Sequence, residues 1–173
     1  MSDIFWGRRQ PPESAADPIV LGRWFPTGVA EATRCRRQLA TALQRETTSG
    51  QADEGAAERL LLVFEEIVSN ALRHGYAPVE VVITACGNHW LLEVSDAASQ
   101  TPPSPAVDRD AALGGLGLYL VARICGDHGW FADGGHKTAW ARIDFTRAEA
   151  PPEATRGLPK PRLTATYRGQ QAC

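Results

Sequence analysis

The sequence is short of the features that mark several protein classes. No two of its four cysteines, Cys35, Cys86, Cys125 and Cys173, form a CxxC pair, so neither a zinc site nor a disulfide framework is suggested. Such cysteine usage fits a reducing cytoplasm. Basic excess is also missing: 18 Lys and Arg against 20 Asp and Glu give a net charge of −2, which argues against a protein held mainly by nucleic-acid phosphates. No apolar run approaches the ~18 residues of a membrane span, and the opening MSDIFWGRRQPPES has no apolar core of a secretion signal. A soluble protein with no nucleic-acid or membrane partner is expected. No internal repeat is evident. What is present is a globular composition, with 43% hydrophobic and 22% charged residues in 173, enough for one domain with terminal extensions.

Residues 1–18, with three prolines and two adjacent arginines but no periodicity, read as a flexible leader. Residues 148–173 read as a flexible proline-rich tail, in which Arg156, Lys160, Arg162 and Arg168 outnumber Glu149 and Glu153. The domain between them, 19–147, alternates in pattern. Ile19–Phe25 reads as a strand, Thr27 can cap a helix reaching about Thr47, and a second helix runs from about Glu54 to His74 and stops at Gly75, placed as a C-terminal cap. Val79–Cys86 and His89–Ser95 flank Gly87-Asn88 as an antiparallel hairpin. Ala97–Leu113, with TPPSP, has no periodicity and reads as a lid; from Gly114 a helical pattern runs through LGLYLVARICGDHG. A second hairpin, Trp130–Ala132 and Thr138–Phe145, turns at DGGHK. This order predicts an α+β two-layer sandwich rather than a parallel sheet.

On the second helix, Leu60, Phe64, Ile67, Val68, Ala71 and Leu72 share a core-facing stripe at 3.6 residues per turn. Glu66, Asn70, Arg73 and His74 lie beside it within an arc of roughly 100°. A carboxylate and an amide four residues apart can meet one ligand, the first accepting a proton and the second offering a hard oxygen to Mg²⁺. A solvated helix face produces the same pattern. Gly114, Gly115 and Gly117 open the next helix, where glycine lets backbone approach a ligand and free N–H groups receive anions; a hinge with tight packing is the plainer alternative. The spacing is neither a Walker loop nor a Rossmann fingerprint. Asp96 ends an apolar strand and needs donors, such as an adenine amino group or its own turn, and Thr138 opens the last strand, where threonine is a common β-former.

Taken in order, Glu66-xxx-Asn70-Ala-xx-His74-Gly75, Asp96 at a strand end, Gly115-Leu116-Gly117-Leu118 and Gly135-xx-Thr138 resemble the nucleotide-binding boxes of the GHKL superfamily over about residues 19–147. That superfamily includes gyrase, MutL, histidine kinases and anti-sigma-factor serine kinases; the short chain looks most like the last. The resemblance implies a histidine kinase-like ATP-binding domain of the Bergerat type, with a mixed, mostly antiparallel sheet and helices on one face. It implies ATP and Mg²⁺ as cofactors, Glu66 as general base and Asn70 as the Mg²⁺ ligand. Asp96 and Thr138 would serve adenine, Gly115, Leu116 and Gly117 the phosphates, with Arg73, His74 or Arg109 as charge partners. It further implies serine/threonine kinase activity toward a small anti-sigma antagonist, a sigma factor as second partner, transcription regulation and a homodimer. The face of the first helix with Arg34, Arg37 and Gln38 is a candidate docking surface. The chain departs from the pattern at Asp96-Ala97-Ala98-Ser99-Gln100, where two glycines are expected, and this favours an alternative: a catalytically weak, nucleotide-gated adaptor.

Overall fold

A computed structural model describes residues 6–13, 17–103 and 116–146. Its elements are β1 (Ile19–Trp24), α1 (Val29–Thr48), α2 (Glu54–His74), β2 (Glu80–Cys86), β3 (His89–Asp96), α3 (Leu116–Ile124), β4 (Asp127–Asp133) and β5 (His136–Asp144). The five strands form one sheet in the order β1-β2-β3-β5-β4, and every neighbouring pair of strands is antiparallel. The expected α+β sandwich is therefore what the chain adopts, with no parallel pair among these strands.

Strand alternation divides the sheet into two faces. Val81, Ile83, Trp90, Leu92, Val94, Ala139, Ala141 and Ile143 are buried in one cluster with the apolar stripes of the helices, among them Leu39, Leu60, Phe64, Ile67 and Val121. Cys86, Leu91 and Trp140 form a smaller cluster of their own, with Phe131 packed against it. The helices thus lie on one face, and the odd-numbered positions of β5 point toward them.

α2 begins where its sequence says it should: the Asp53 carboxylate accepts from the Ala56 N–H and satisfies a donor of the first turn. α1 begins differently from the sequence reading. Its N-cap is Gly28, which offers no side-chain bond, while both the N–H and the hydroxyl of Thr27 donate to Glu31 Oε2 at 2.7 Å. Thr27 therefore anchors the helix start as a donor, with Glu31 reaching back as the acceptor.

Two further elements depart from the sequence reading. The helical pattern from Gly114 onward ends at Ile124, and its last residues, DHG, belong to β4. Gly126 breaks it: its N–H bonds Arg142 O at 2.8 Å, and a Cβ there would stand 2.1 Å from Asp144 Oδ2. The second departure is in the leader, where Trp6–Arg9 are packed on the sheet instead of hanging free. Arg9 N–H bonds Trp130 O at 2.8 Å and Trp130 N–H bonds Gly7 O at 3.1 Å, a short parallel pairing on β4. Trp6 is buried, donates to Leu118 O of α3 at 3.3 Å and meets the His128 ring edge-on at 5.0 Å. The Arg9 guanidinium pairs with Asp127 and lies 5.4 Å from the Trp140 ring, and Trp140 Nε1 donates to Arg9 O at 2.8 Å. A buried indole and a paired guanidinium give this segment an anchor that residue patterning does not reveal. The proline-rich tail, 148–173, most of the expected lid, 104–113, and Gly114 and Gly115 lie outside the described residues.

Candidate functional site

Along its polar edge α2 meets the start of α3 at Glu66 and, nine residues on, the end of β3 at Gly75. Glu66 is half-buried on α2, and its carboxylate lies against the first turn of α3: a Cβ on Gly117 would stand 1.8 Å from Glu66 Oε2. Glycine at 117 thus lets carboxylate and backbone touch. Burial pushes the Glu66 carboxyl above its ordinary range, Glu65 adds to the rise, and Arg73 opposes it. Asn70 follows on the same helix edge, half-buried and one turn on. Arg73 and His74 are exposed in the last turn, and Arg73 Nε donates to Ser69 O at 3.2 Å.

Gly75 ends α2, its N–H bonding Ala71 O at 2.8 Å, but its backbone is extended (φ −87°, ψ 179°) rather than left-handed. The need for glycine there comes from a neighbour. A Cβ at 75 would stand 2.5 Å from Asp96 Cγ and 2.7 Å from Asp96 Oδ2, so the end of α2 rests directly on the Asp96 carboxylate. The Ala97 N–H bonds Tyr76 O at 2.8 Å and ties the end of β3 to the same loop.

Asp96 is 1% exposed and Lys137 2%. Asp96 Oδ1 accepts the Ala98 N–H at 2.8 Å, and Oδ2 lies 3.2 Å from Lys137 Nζ. The two residues are register partners on β3 and β5 and so share the helix-facing side. Thr138 is on the other side. It pairs with Ser95, and their hydroxyls bond at 2.7 Å on the face away from the helices.

The structure thus brings Glu66 to Gly117 and the end of α2 to Asp96. It does not bring Thr138 to Asp96, and Arg73 and His74 stand exposed at the helix end. Leu116 opens α3, and Gly115 and Arg109 lie outside the described residues. Sequence reading missed Lys137, although a signal existed: once Ala139, Ala141 and Ile143 are assigned to the core, strand parity turns residue 137 inward with them. On the outer face of α1, Gln38 Oε1 accepts Trp24 Nε1–H at 2.7 Å.

Among the described residues no three His, Cys, Asp or Glu side chains group as a metal site, and no helix is long and apolar enough to cross a membrane. Residues 26–143 match the family model of the histidine kinase-like ATPase domain. No curated protein matches the chain. Among solved structures, it is similar to the RsbU and RsbW domains of Rv1364c from Mycobacterium tuberculosis, with 19% identity and a TM-score of 0.53 over 77% of this chain and 34% of that one. The chain thus spans about a third of that structure's length. It is also similar to the Acinetobacter baumannii histidine kinase AdeS, with 20% identity and a TM-score of 0.37 over 53% of this chain and 48% of that one.

Proposed function

The chain belongs to the histidine kinase-like ATPase family, and on that footing we propose that it is an anti-sigma-type regulator that binds Mg-ATP where α2, β3 and α3 meet. In this reading it passes the γ-phosphoryl group to a serine or threonine of a small antagonist protein and holds a sigma factor as its second partner. The observation that carries the proposal is the contact of Glu66 with Gly117, which sets a carboxylate of raised proton affinity against the opening turn of a helix. Fold likeness to a structure containing an RsbW domain supports the regulatory side of the reading.

The residues divide the work by chemistry. Phosphoryl transfer asks a protein mainly for positioning and charge neutralisation. Glu66, with its raised proton affinity, is suited to take the proton of the attacking hydroxyl as that oxygen bonds to phosphorus and the bond to the nucleoside diphosphate breaks. Asn70, one turn on, would hold Mg²⁺ through its amide oxygen; Mg²⁺ commonly takes one or two protein oxygens together with phosphate oxygens, and when bound it supplies charge neutralisation. The start of α3 would face the phosphates, as helix N-termini commonly do. At the base the fit is incomplete, because both oxygens of Asp96 already hold donors of the chain itself.

That engagement, together with Ala97 and Ala98 in place of glycines, favours a second reading in which the chain is a nucleotide-gated adaptor with little turnover. Calorimetric titration of Mg-ATP into wild type, Asp96→Ala and Asn70→Ala, with ATP turnover measured in wild type and Glu66→Ala, tests both. Binding that fails in Asp96→Ala and weakens in Asn70→Ala, with turnover lost in Glu66→Ala, supports the kinase. Binding without turnover in wild type selects the adaptor, and folded proteins that bind no nucleotide overturn both.

A further inference from the structure

We propose that Lys137 occupies the base-recognition position of the nucleotide site as an internal ligand of Asp96, so that a nucleotide base engages only when this ion pair parts. The inference rests on the nucleotide reading above and adds a gate to it.

Register makes the assignment firm. The hairpin between β4 and β5 turns at Gly134 and Gly135, both at positive φ (56° and 84°), and pairs Asp133 with His136 and Asp96 with Lys137. Sliding β5 by one residue would bring Thr138 opposite Asp96, but it would also turn Ala139, Ala141 and Ile143 out of the core and drive Trp140 into it. The packing of the whole strand therefore holds Lys137 where it is.

Lysine is rarely buried unless paired, and this chain has only two lysines, Lys137 and Lys160, beside sixteen arginines. Every other ion pair among the described residues uses arginine: Arg9–Asp127, Arg23–Glu80, Arg36–Glu65 and Arg142–Asp144. A compact ammonium stands at the one place where a forked guanidinium would need more room.

Asp96 offers no open approach, being only 1% exposed. The Ala98 N–H takes Oδ1, the Lys137 ammonium takes Oδ2, and Gly75 closes the carboxylate from the α2 side so tightly that a single methyl would overlap it. The neutral exocyclic amine of a base can reach this buried carboxylate only through space that the Lys137 ammonium now fills, and charge-assisted hydrogen bonds are roughly twice as strong as neutral ones. Weak affinity for the base, relieved when Lys137 withdraws, is the result.

Lysine-selective ¹⁵N labelling of the full chain reports on the gate without a mutation, since only two side-chain resonances arise. Millimolar Mg-ATP should shift the Lys137 resonance and speed acylation of its amine, whereas inorganic triphosphate, which has no base, should do neither. Calorimetry of Lys137→Thr should show Mg-ATP binding at least about tenfold tighter than wild type. Saturable ATP binding with the Lys137 resonance unmoved, or equal or weaker binding by folded Lys137→Thr, overturns the gate and leaves the nucleotide reading intact. No binding by either protein removes both. Should Lys137→Thr not fold, the resonance in wild type decides alone.

Discussion

Replacing Gly117 with alanine separates folding from chemistry. The new methyl would stand 1.8 Å from Glu66 Oε2, 2.7 Å from Cδ and 3.2 Å from Cγ, so the atoms it meets are all the end of one flexible side chain. Glu66 can yield by changing rotamer. Alanine meanwhile improves the helix, by about 0.5–1 kcal/mol in an interior position and by less in the first turn of α3. The net change in stability should fall between zero and about +0.5 kcal/mol, a rise in Tm of at most about 2 °C for a chain of this size. Chemistry should respond in the opposite sense. A base swung away from its place forfeits the ~10²–10⁴-fold that positioned proton transfer contributes, so ATP turnover should collapse while the protein melts no earlier. Circular-dichroism melting and a phosphate-release assay on the same preparation check both halves. A loss of more than about 1 kcal/mol would mean that Glu66 is not free to yield. Full turnover at unchanged Tm would mean that the base lies elsewhere.

The companion change, Gly75→Ala, should behave otherwise, because the methyl would meet Ala71 O at 2.6 Å as well as the Asp96 carboxylate. Backbone cannot swing aside, and a loss of about 1–3 kcal/mol in chemical denaturation is expected. Burial holds the Glu66 carboxyl above its ordinary range, so its charge opposes folding fully above the raised pKa and not at all below the ordinary value. Glu66→Gln should therefore raise Tm at pH 7–8, and the gain should vanish as the pH falls below about 4.3. Trp6→Ala removes a buried indole that touches both α3 and β4, and should cost about 3 kcal/mol in urea unfolding; a cost near zero would mean that the segment contributes nothing to the fold.

α2 was legible in the sequence at both ends because its signals are local, an apolar stripe and a glycine at the stop; the capping Asp53 is a further local signal that the sequence reading did not use. Gly75 caps the helix as expected, but part of the demand for glycine there comes from Asp96, a residue 21 positions later in the chain that only folding brings near. The end of α3 was misjudged likewise. Apolar spacing continues through Ile124 and Cys125, and what halts the helix is Gly126 wedged against Asp144 on β5. Trp6 carried no periodic signal because a single anchoring side chain has none. Thr138 enters the expected site through the resemblance of Gly135-xx-Thr138, but which of two adjacent residues faces the helices depends on where the hairpin closes, and that closure turns Lys137 toward them and Thr138 away.

The pairing of Gly7–Arg9 with β4 makes the two borders of the sheet unequal. Outward-facing groups of Trp130 are bonded by Gly7 and Arg9, and His128 O accepts from the Arg9 guanidinium, while among the described residues the only strand that pairs with β1 is β2. An open sheet with two receptive borders propagates indefinitely, each copy offering the next a template. Here Gly7–Arg9 cover the middle of one border, so any pairing of copies strand to strand would be directed to β1, where two copies meeting edge to edge would use up the open border of both.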